Sequence, residues 1–541
     1  MKATIRNPIL TGFCPDPSIC RVGEDFWLVT STFSYFPGLP VFHSRDLAHW
    51  TQVGNVLDRP EQLELAGQGI SRGLFAPTIR HHDGRYYVVC TNVDGKGNFV
   101  VTAENPAGPW SDPSWLKAPG IDPSLFFDTD GSAWYIGTRP APEGPKYNGN
   151  WEVWAQPFDT EKLCLTGEST GLWRGALRDC IWPEGPHVYR IGDWYYLTIA
   201  EGGTGPDHAV TVARSKSVTG PWVGKSSNPI LTHRHLGSQA DIVNVGHADL
   251  VDDADGKWWM VCLASRPRAG LDSSASGNLS GRRVSNMGRE TYIVPVRWED
   301  GWPLAAADTG RIEATYEGPA LDLAAAQAAS GEAVIEYFDG DRLPPNFLFL
   351  RTPVEGSWSL DRARGELSLA CQAADLSSKA PVSFLGVRQR HFDWRLSARV
   401  RLEGAKASSS AGLALLQSET HQYRFELVAG NGAVGGVERL RVVRVAGDAP
   451  QPILDIPFEA RWGATPTLAI TQVQQSLSFF IGPHPGALVR LPVEADARIL
   501  STEVAGGFVG TVLGMYASGN GQNDLARAVF SSFSYLSLEK Q

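Results

Sequence analysis

The stretch Trp182-Pro183-Glu184-Gly185-Pro186-His187-Val188-Tyr189-Arg190 sets one carboxylate on a tight Pro/Gly turn that runs into a strand. Its apolar neighbours disfavour the charged form and raise the pKa of Glu184, as a general acid working near neutral pH requires. A surface turn holding a Glu is the commoner arrangement. What sets Glu184 apart is that its turn is one of a set, and two others also carry acids. Asp16 lies in Pro15-Asp16-Pro17-Ser18-Ile19 and Asp122 in Asp122-Pro123-Ser124-Leu125. Cutting a glycosidic bond takes two carboxyl groups, one to protonate the leaving oxygen and one to activate water or attack the sugar. Three converging acids would supply both and leave one to tune them.

Bringing these acids together falls to a five-fold repeat. Each turn enters a strand, and a Gly or Asp turn then leads into a second strand rich in aromatics. The second strands begin at Gly23-Glu24-Asp25-Phe26-Trp27, Asp83-Gly84-Arg85-Tyr86-Tyr87, Asp130-Gly131-Ser132-Ala133-Trp134, Gly192-Asp193-Trp194-Tyr195-Tyr196 and Asp255-Gly256-Lys257-Trp258-Trp259. Such hairpins, each followed by outer strands, are the blades of a five-bladed β-propeller. The innermost strand of each blade lines the axis, so the strand starts meet at one mouth. On this reading Asp16, Asp122 and Glu184 take comparable places in blades one, three and four, Pro77 in blade two and His247 in blade five.

After Trp298 the repeat stops, and short alternating strands with frequent turns, such as Trp394 to Val400 and Leu477 to Ile481, indicate a β-sandwich of jelly-roll or concanavalin-like type. The expected division is a propeller over 1–315, a linker over 316–332 with a helical turn at Leu321 to Ala328, and a sandwich over 333–541. The fold class is all-β.

A chain of 541 residues exceeds a single core. Its formal net charge of −10 argues against nucleic acid and anionic membranes as partners. No apolar run is long enough for a transmembrane helix, and the first residues lack the apolar core of a signal peptide, so a cytoplasmic location is expected. The seven cysteines show no Cys-x-x-Cys spacing and read as reduced thiols, neither a disulfide framework nor a zinc site.

The motifs Gly12-Phe13-Cys14-Pro15-Asp16-Pro17-Ser18, Thr30-Ser31-Thr32-Phe33, Glu184-Gly185-Pro186-His187, Ala200-Glu201-Gly202-Gly203-Thr204, Gly246-His247-Ala248-Asp249, Gly288-Arg289-Glu290-Thr291 and Gly506-Gly507-Phe508-Val509-Gly510 resemble the family 43 glycoside hydrolases, in the two-domain β-xylosidase and α-L-arabinofuranosidase branch. The resemblance implies that Asp16 is the general base, Glu184 the general acid and Asp122 the group that adjusts the pKa of Glu184. It also implies inversion at the anomeric carbon, which goes with the wider carboxyl spacing. Arg289 would hold sugar hydroxyls, Phe33 and Trp151 would wall the pocket with Thr204 beside them, and Phe508 would reach over the mouth from the sandwich. Phe75 stands where relatives often carry Trp, which bears on which pentose fits. The resemblance implies no required cofactor, a Ca²⁺ ion at the axis beside His247, and assembly as a homodimer or homotetramer.

The substrates implied are xylooligosaccharides, cut at terminal β-1,4-linked xylose, or arabinoxylan fragments, cut at α-L-arabinofuranose. Outside this class stand a non-catalytic carbohydrate-binding propeller and a scaffold for protein partners. Neither needs three acids at one mouth.

Overall fold

The computed structural model describes residues 1–237, 239–270, 279, 282–328, 333–405, 408–434, 436–522 and 526–539. Among these, α-helix is confined to Leu323–Ala328 and Thr502–Ala505. Five antiparallel sheets form the blades, with inner strands Ser18–Val22, Leu74–His82, Ile121–Phe127, Glu184–Ile191 and Val243–Asp252. Each inner strand pairs with the aromatic-rich strand that follows it in sequence. Middle strands such as Trp258–Ser265 are buried along almost their whole length. Neighbouring blades cover both faces, so these strands read as continuous apolar runs.

Ring closure comes from the N-terminus, where Lys2–Arg6 pairs with Thr315–Ala320 and Asn7 and Ile9 bond to Ile293 and Thr291 of blade five. The expected linker therefore begins as a strand. Tyr316 packs against the apolar cluster of blades four and five and against the one that holds Ile5, and at Gly318 a Cβ would fall 3.0 Å from Ile5. The helical turn starts two residues later than expected, at Leu323, because Asp322 caps it by accepting from the Ala324 and Ala325 amides. Residues 329–332 of the expected linker lie outside the described residues.

Among the described residues the C-terminal domain is two sheets face to face, of eight and seven of its own strands. Trp394–Glu403 shows the one-face-in alternation of a sandwich strand. One of these sheets extends into the propeller: Tyr35 and Phe36, from the loop of blade one, pair with Leu350 and Phe349. An apolar cluster that includes Phe13, Phe33, Tyr35, Leu350, Phe384 and Tyr516 fills the space between the domains. Inside it the buried Arg351 donates to the Gln68 and Ser378 carbonyls and pairs with Glu419. The sandwich is thereby bolted to the side of the propeller that carries Phe33.

Candidate active site

A local backbone device aims the site residues. In blades two to five the inner strand carries a β-bulge at its start, between Phe75 and Thr78, Ile121 and Ser124, Glu184 and His187, and Gly246 and Asp249. The residue within each bulge, and Asp16 in blade one, has a left-handed backbone: Asp16 at φ 55°, Ala76 at 36°, Asp122 at 53°, Gly185 at 57° and His247 at 47°. Bulges re-aim side chains, and for residues other than glycine this conformation stores strain that the surroundings must over-determine.

This alignment corrects the expected equivalence. The place matching Asp16 and Asp122 is held in blade two by Ala76, not Pro77, and in blade four by Gly185, not Glu184. Glu184 comes one residue earlier, and its extra methylene compensates for the step. Prolines at 17, 77, 123 and 186 mark the register; aligning on them in the sequence would have shown the shift. Glycine at 185 has a second cause, since a Cβ there would lie 2.9 Å from the His247 ring.

All ten residues singled out from the sequence (Asp16, Phe33, Phe75, Asp122, Trp151, Glu184, Thr204, His247, Arg289 and Phe508) line one cavity of about 580 Å³. Arg72 and Trp182 also line it, and neither was singled out from the sequence as a pocket residue. Trp182 stands 5.4 Å from Trp151 between ring centroids. The turn before Glu184 is fixed by Trp182 N donating to Gly149 O and the Thr138 hydroxyl donating to Pro183 O.

The three acids differ in environment. Asp16 accepts from the Ser31 hydroxyl at 2.6 Å and from Arg289 Nη1 at 3.0 Å, with His247 Nδ1 at 3.8 Å. Burial opposes its charge, but Arg289, His247 and Ser31 together outweigh burial and hold its pKa below the ordinary value. Among the described residues Asp122 accepts only the Gly185 amide, at 3.1 Å. Burial, and then the negative charge of Asp16 against the help of His247, push it up to about 6. Among the described residues no donor reaches the Glu184 carboxyl. Burial and the neighbouring Asp122 and Asp16 push its pKa well above the ordinary range. Environment alone thus separates an ionised carboxylate from a protonated acid in one pocket, which is the division of labour acid–base cleavage needs.

Arg289 joins the two domains. Besides Asp16 it donates to Thr204 Oγ1 at 3.1 Å and to the Phe508 carbonyl at 3.3 Å. Phe508 in turn donates its amide to Ser71 Oγ. The Phe33, Phe75 and Phe508 rings lie 5.2–6.2 Å apart and form an apolar wall.

Residues 5–303 match the profile of the glycosyl hydrolases family 43, and residues 336–536 match the β-xylosidase C-terminal concanavalin A-like domain. The chain belongs to family 43. This family 43 glycoside hydrolase is 42% identical to a xylosidase/arabinosidase of Butyrivibrio fibrisolvens, over 99% of each chain. It is 38% identical to a non-reducing end α-L-arabinofuranosidase of Bacteroides ovatus, over 99% of this chain and 96% of that one. A crystal structure of a xylan β-1,4-xylosidase from Bacillus halodurans superposes with a TM-score of 0.86 at 29% identity, covering 98% of this chain and 99% of that one.

Below the acids the channel of this family 43 enzyme is closed by its own side chains. Asp249 accepts from both Arg80 Nη atoms at 2.8 and 3.0 Å, from Ser18 Oγ at 2.7 Å, from Tyr189 OH at 2.6 Å and from the Ile19 and Leu250 amides. Arg80 also donates to His187 Nδ1 at 2.9 Å. A calcium ion prefers a cage of six to eight oxygens. Among the described residues one carboxylate, that of Asp16, lies within 4 Å of His247, the axial carboxylate Asp249 is already saturated, and there is no group of three or more His, Cys, Asp or Glu arranged for a metal. The residues beside His247 do not by themselves fit calcium, and no catalytic step is assigned to one.

Proposed function

We propose that this glycoside hydrolase removes terminal β-1,4-linked D-xylose from xylooligosaccharides with inversion of configuration. The observation that carries the reading is the contrast between Asp16, held ionised by Arg289 and Ser31, and Glu184, held protonated by burial beside Asp122. Asp16 deprotonates the attacking water. Glu184 gives its proton to the leaving oxygen, and Asp122 both raises the Glu184 pKa and, through the Gly185 amide, fixes the turn that presents it. Arg289 and Thr204 face hydroxyls of the terminal sugar, and the Phe33–Phe75–Phe508 wall packs its apolar face. The name of the Bacteroides relative, a non-reducing end α-L-arabinofuranosidase, supports exo action.

Release of α-L-arabinofuranose from the same pocket is the second reading. Phe75 favours it, since a Phe in place of a Trp leaves more room beside the sugar, and so do the names of the Butyrivibrio and Bacteroides relatives. Hydrolysis of xylobiose beside an arabinose-decorated xylooligosaccharide, with NMR following the first anomer released, tests both. α-Xylose from xylobiose supports the main reading. β-Xylose overturns inversion, and arabinose alone moves the pocket to the second reading.

A further inference from the structure

Arg289 is held at its tip by Asp16, Thr204 and Phe508, yet its Nε–H, buried with the rest of the side chain, meets no acceptor among the described residues. Close by is an acceptor with the converse need. The turn between Trp194–Glu201 and Ala209–Ser215 presents Thr204 to Arg289 and ends at His208, whose amide donates back to Gly205 O. The His208 ring is 1% exposed. Its Nδ1 lies 3.1 Å from the Asn244 carbonyl, which can only accept, so the proton sits on Nδ1 and Nε2 is left as an acceptor. Nε2 has no partner among the described residues. The ring lies against the backbone of Gly246, where a Cβ would fall 2.4 Å from it. Glycine at 246 is therefore what admits an imidazole beside His247. Burial pushes the His208 pKa down to about 3, with His247 and Arg289 acting in the same direction, so the ring stays neutral at working pH.

We propose that His208 is the positioning residue of Arg289, its Nε2 accepting the Arg289 Nε–H through one bridging water. A buried donor and a buried acceptor beside the same turn are each costly alone and are satisfied together. With Nε anchored, the plane of the guanidinium is fixed, and Nη1 is aimed at Asp16 and at the sugar. The inference rests on the roles proposed for Asp16 and Arg289.

The test replaces the acceptor. His208→Phe keeps a flat ring with no acceptor, and His208→Gln restores one. In His208→Phe, kcat/KM falls at least tenfold, and the acidic limb of its pH profile moves upward as Arg289 ceases to hold Asp16 ionised. Arg289, His247, Asp122 and Glu184 are the other charged or titratable groups facing Asp16, and removing a neutral His208 takes no charge from among them. His208→Gln regains most of the loss. A folded His208→Phe with kcat/KM within twofold of the parent and an unmoved limb overturns the proposal. So does a Gln variant as impaired as Phe, since that assigns the loss to packing.

Histidine ¹⁵N NMR of the parent protein and of Arg289→Lys decides the matter without activity. His208 stays neutral with its proton on Nδ1 from pH 5 to 8, and its Nε2 resonance moves in Arg289→Lys. A proton on Nε2, titration near the ordinary ~6.5, or an unmoved resonance refutes the pairing whether or not the catalytic roles hold.

Discussion

Two carboxylate clusters share one channel, and they are built in opposite ways. At the axis Asp249 accepts six hydrogen bonds from four blades; burial opposes its charge, but Arg80, His187 and Tyr189 outweigh burial and hold its pKa far below the ordinary value. At the mouth, among the described residues, Asp122 accepts one and Glu184 none, and both are pushed up. A carboxylate supplied with donors stays charged and ties the blades together; one deprived of them keeps a proton that it can give away. His247 and Asp249, two residues apart on one strand, mark the border between the two regimes.

The largest effects separate the clusters by what each loses. Asp16→Asn and Glu184→Gln are expected to lower kcat by about 10²–10⁴-fold with the protein still folded, since each removes one arm of the acid–base pair. Asp249→Asn leaves Arg80 buried without its counter-charge, which costs about 3–5 kcal/mol in denaturant unfolding. The pH limits of kcat/KM in the surviving folded protein remain those of the parent. A folded Asp249→Asn whose limits moved by a unit would merge the clusters and break the comparison.

Asp122→Asn tests the coupling inside the mouth. Glu184 must be protonated to act, so its pKa sets the alkaline limb. Part of its elevation comes from the Asp122 charge, which develops as pH rises through about 6. With that charge removed, Glu184 loses its proton earlier and the alkaline limb moves to lower pH, by about one unit. An unmoved limb would show that burial alone protonates Glu184.

The propeller was legible because blades repeat: hairpin signals recur five times, and each recurrence strengthens the last. The sandwich was legible from alternation alone. The three acids and His247 came from the repeat and the other six pocket residues from motif resemblance, and all ten line a single cavity. The one-residue offset of Glu184 could be read only from the aligned prolines, because a bulge changes the facing of a strand without changing its apolar pattern. Arg80 was hidden for another reason. It sits in an ordinary strand sequence, and its partner Asp249 is 169 residues away, a pairing that only ring closure creates. The strand Thr315–Ala320 was lost in an Ala/Gly/Asp-rich context because its partner is the N-terminus. Long-range pairing overrode local composition at both places.

The smallest effect is the most direct comparison, because the same chemical change should have opposite signs in the two clusters. Carboxylate to amide at Asp249 destabilises. At Glu184 it is expected to stabilise, and increasingly so as pH rises. The folded-state pKa of Glu184 is raised, so its contribution favours folding below the unfolded-state value and is lost as pH climbs toward the folded one. Glutamine does not titrate and escapes that loss. Thermal midpoints of Glu184→Gln and the parent should coincide near pH 4 and diverge in favour of the variant by pH 8, on the order of 1–2 °C for a protein of this size. A variant less stable than the parent at pH 8 would mean that the Glu184 carboxylate has donors in the folded protein. The mouth would then be held together in the same way as the axis.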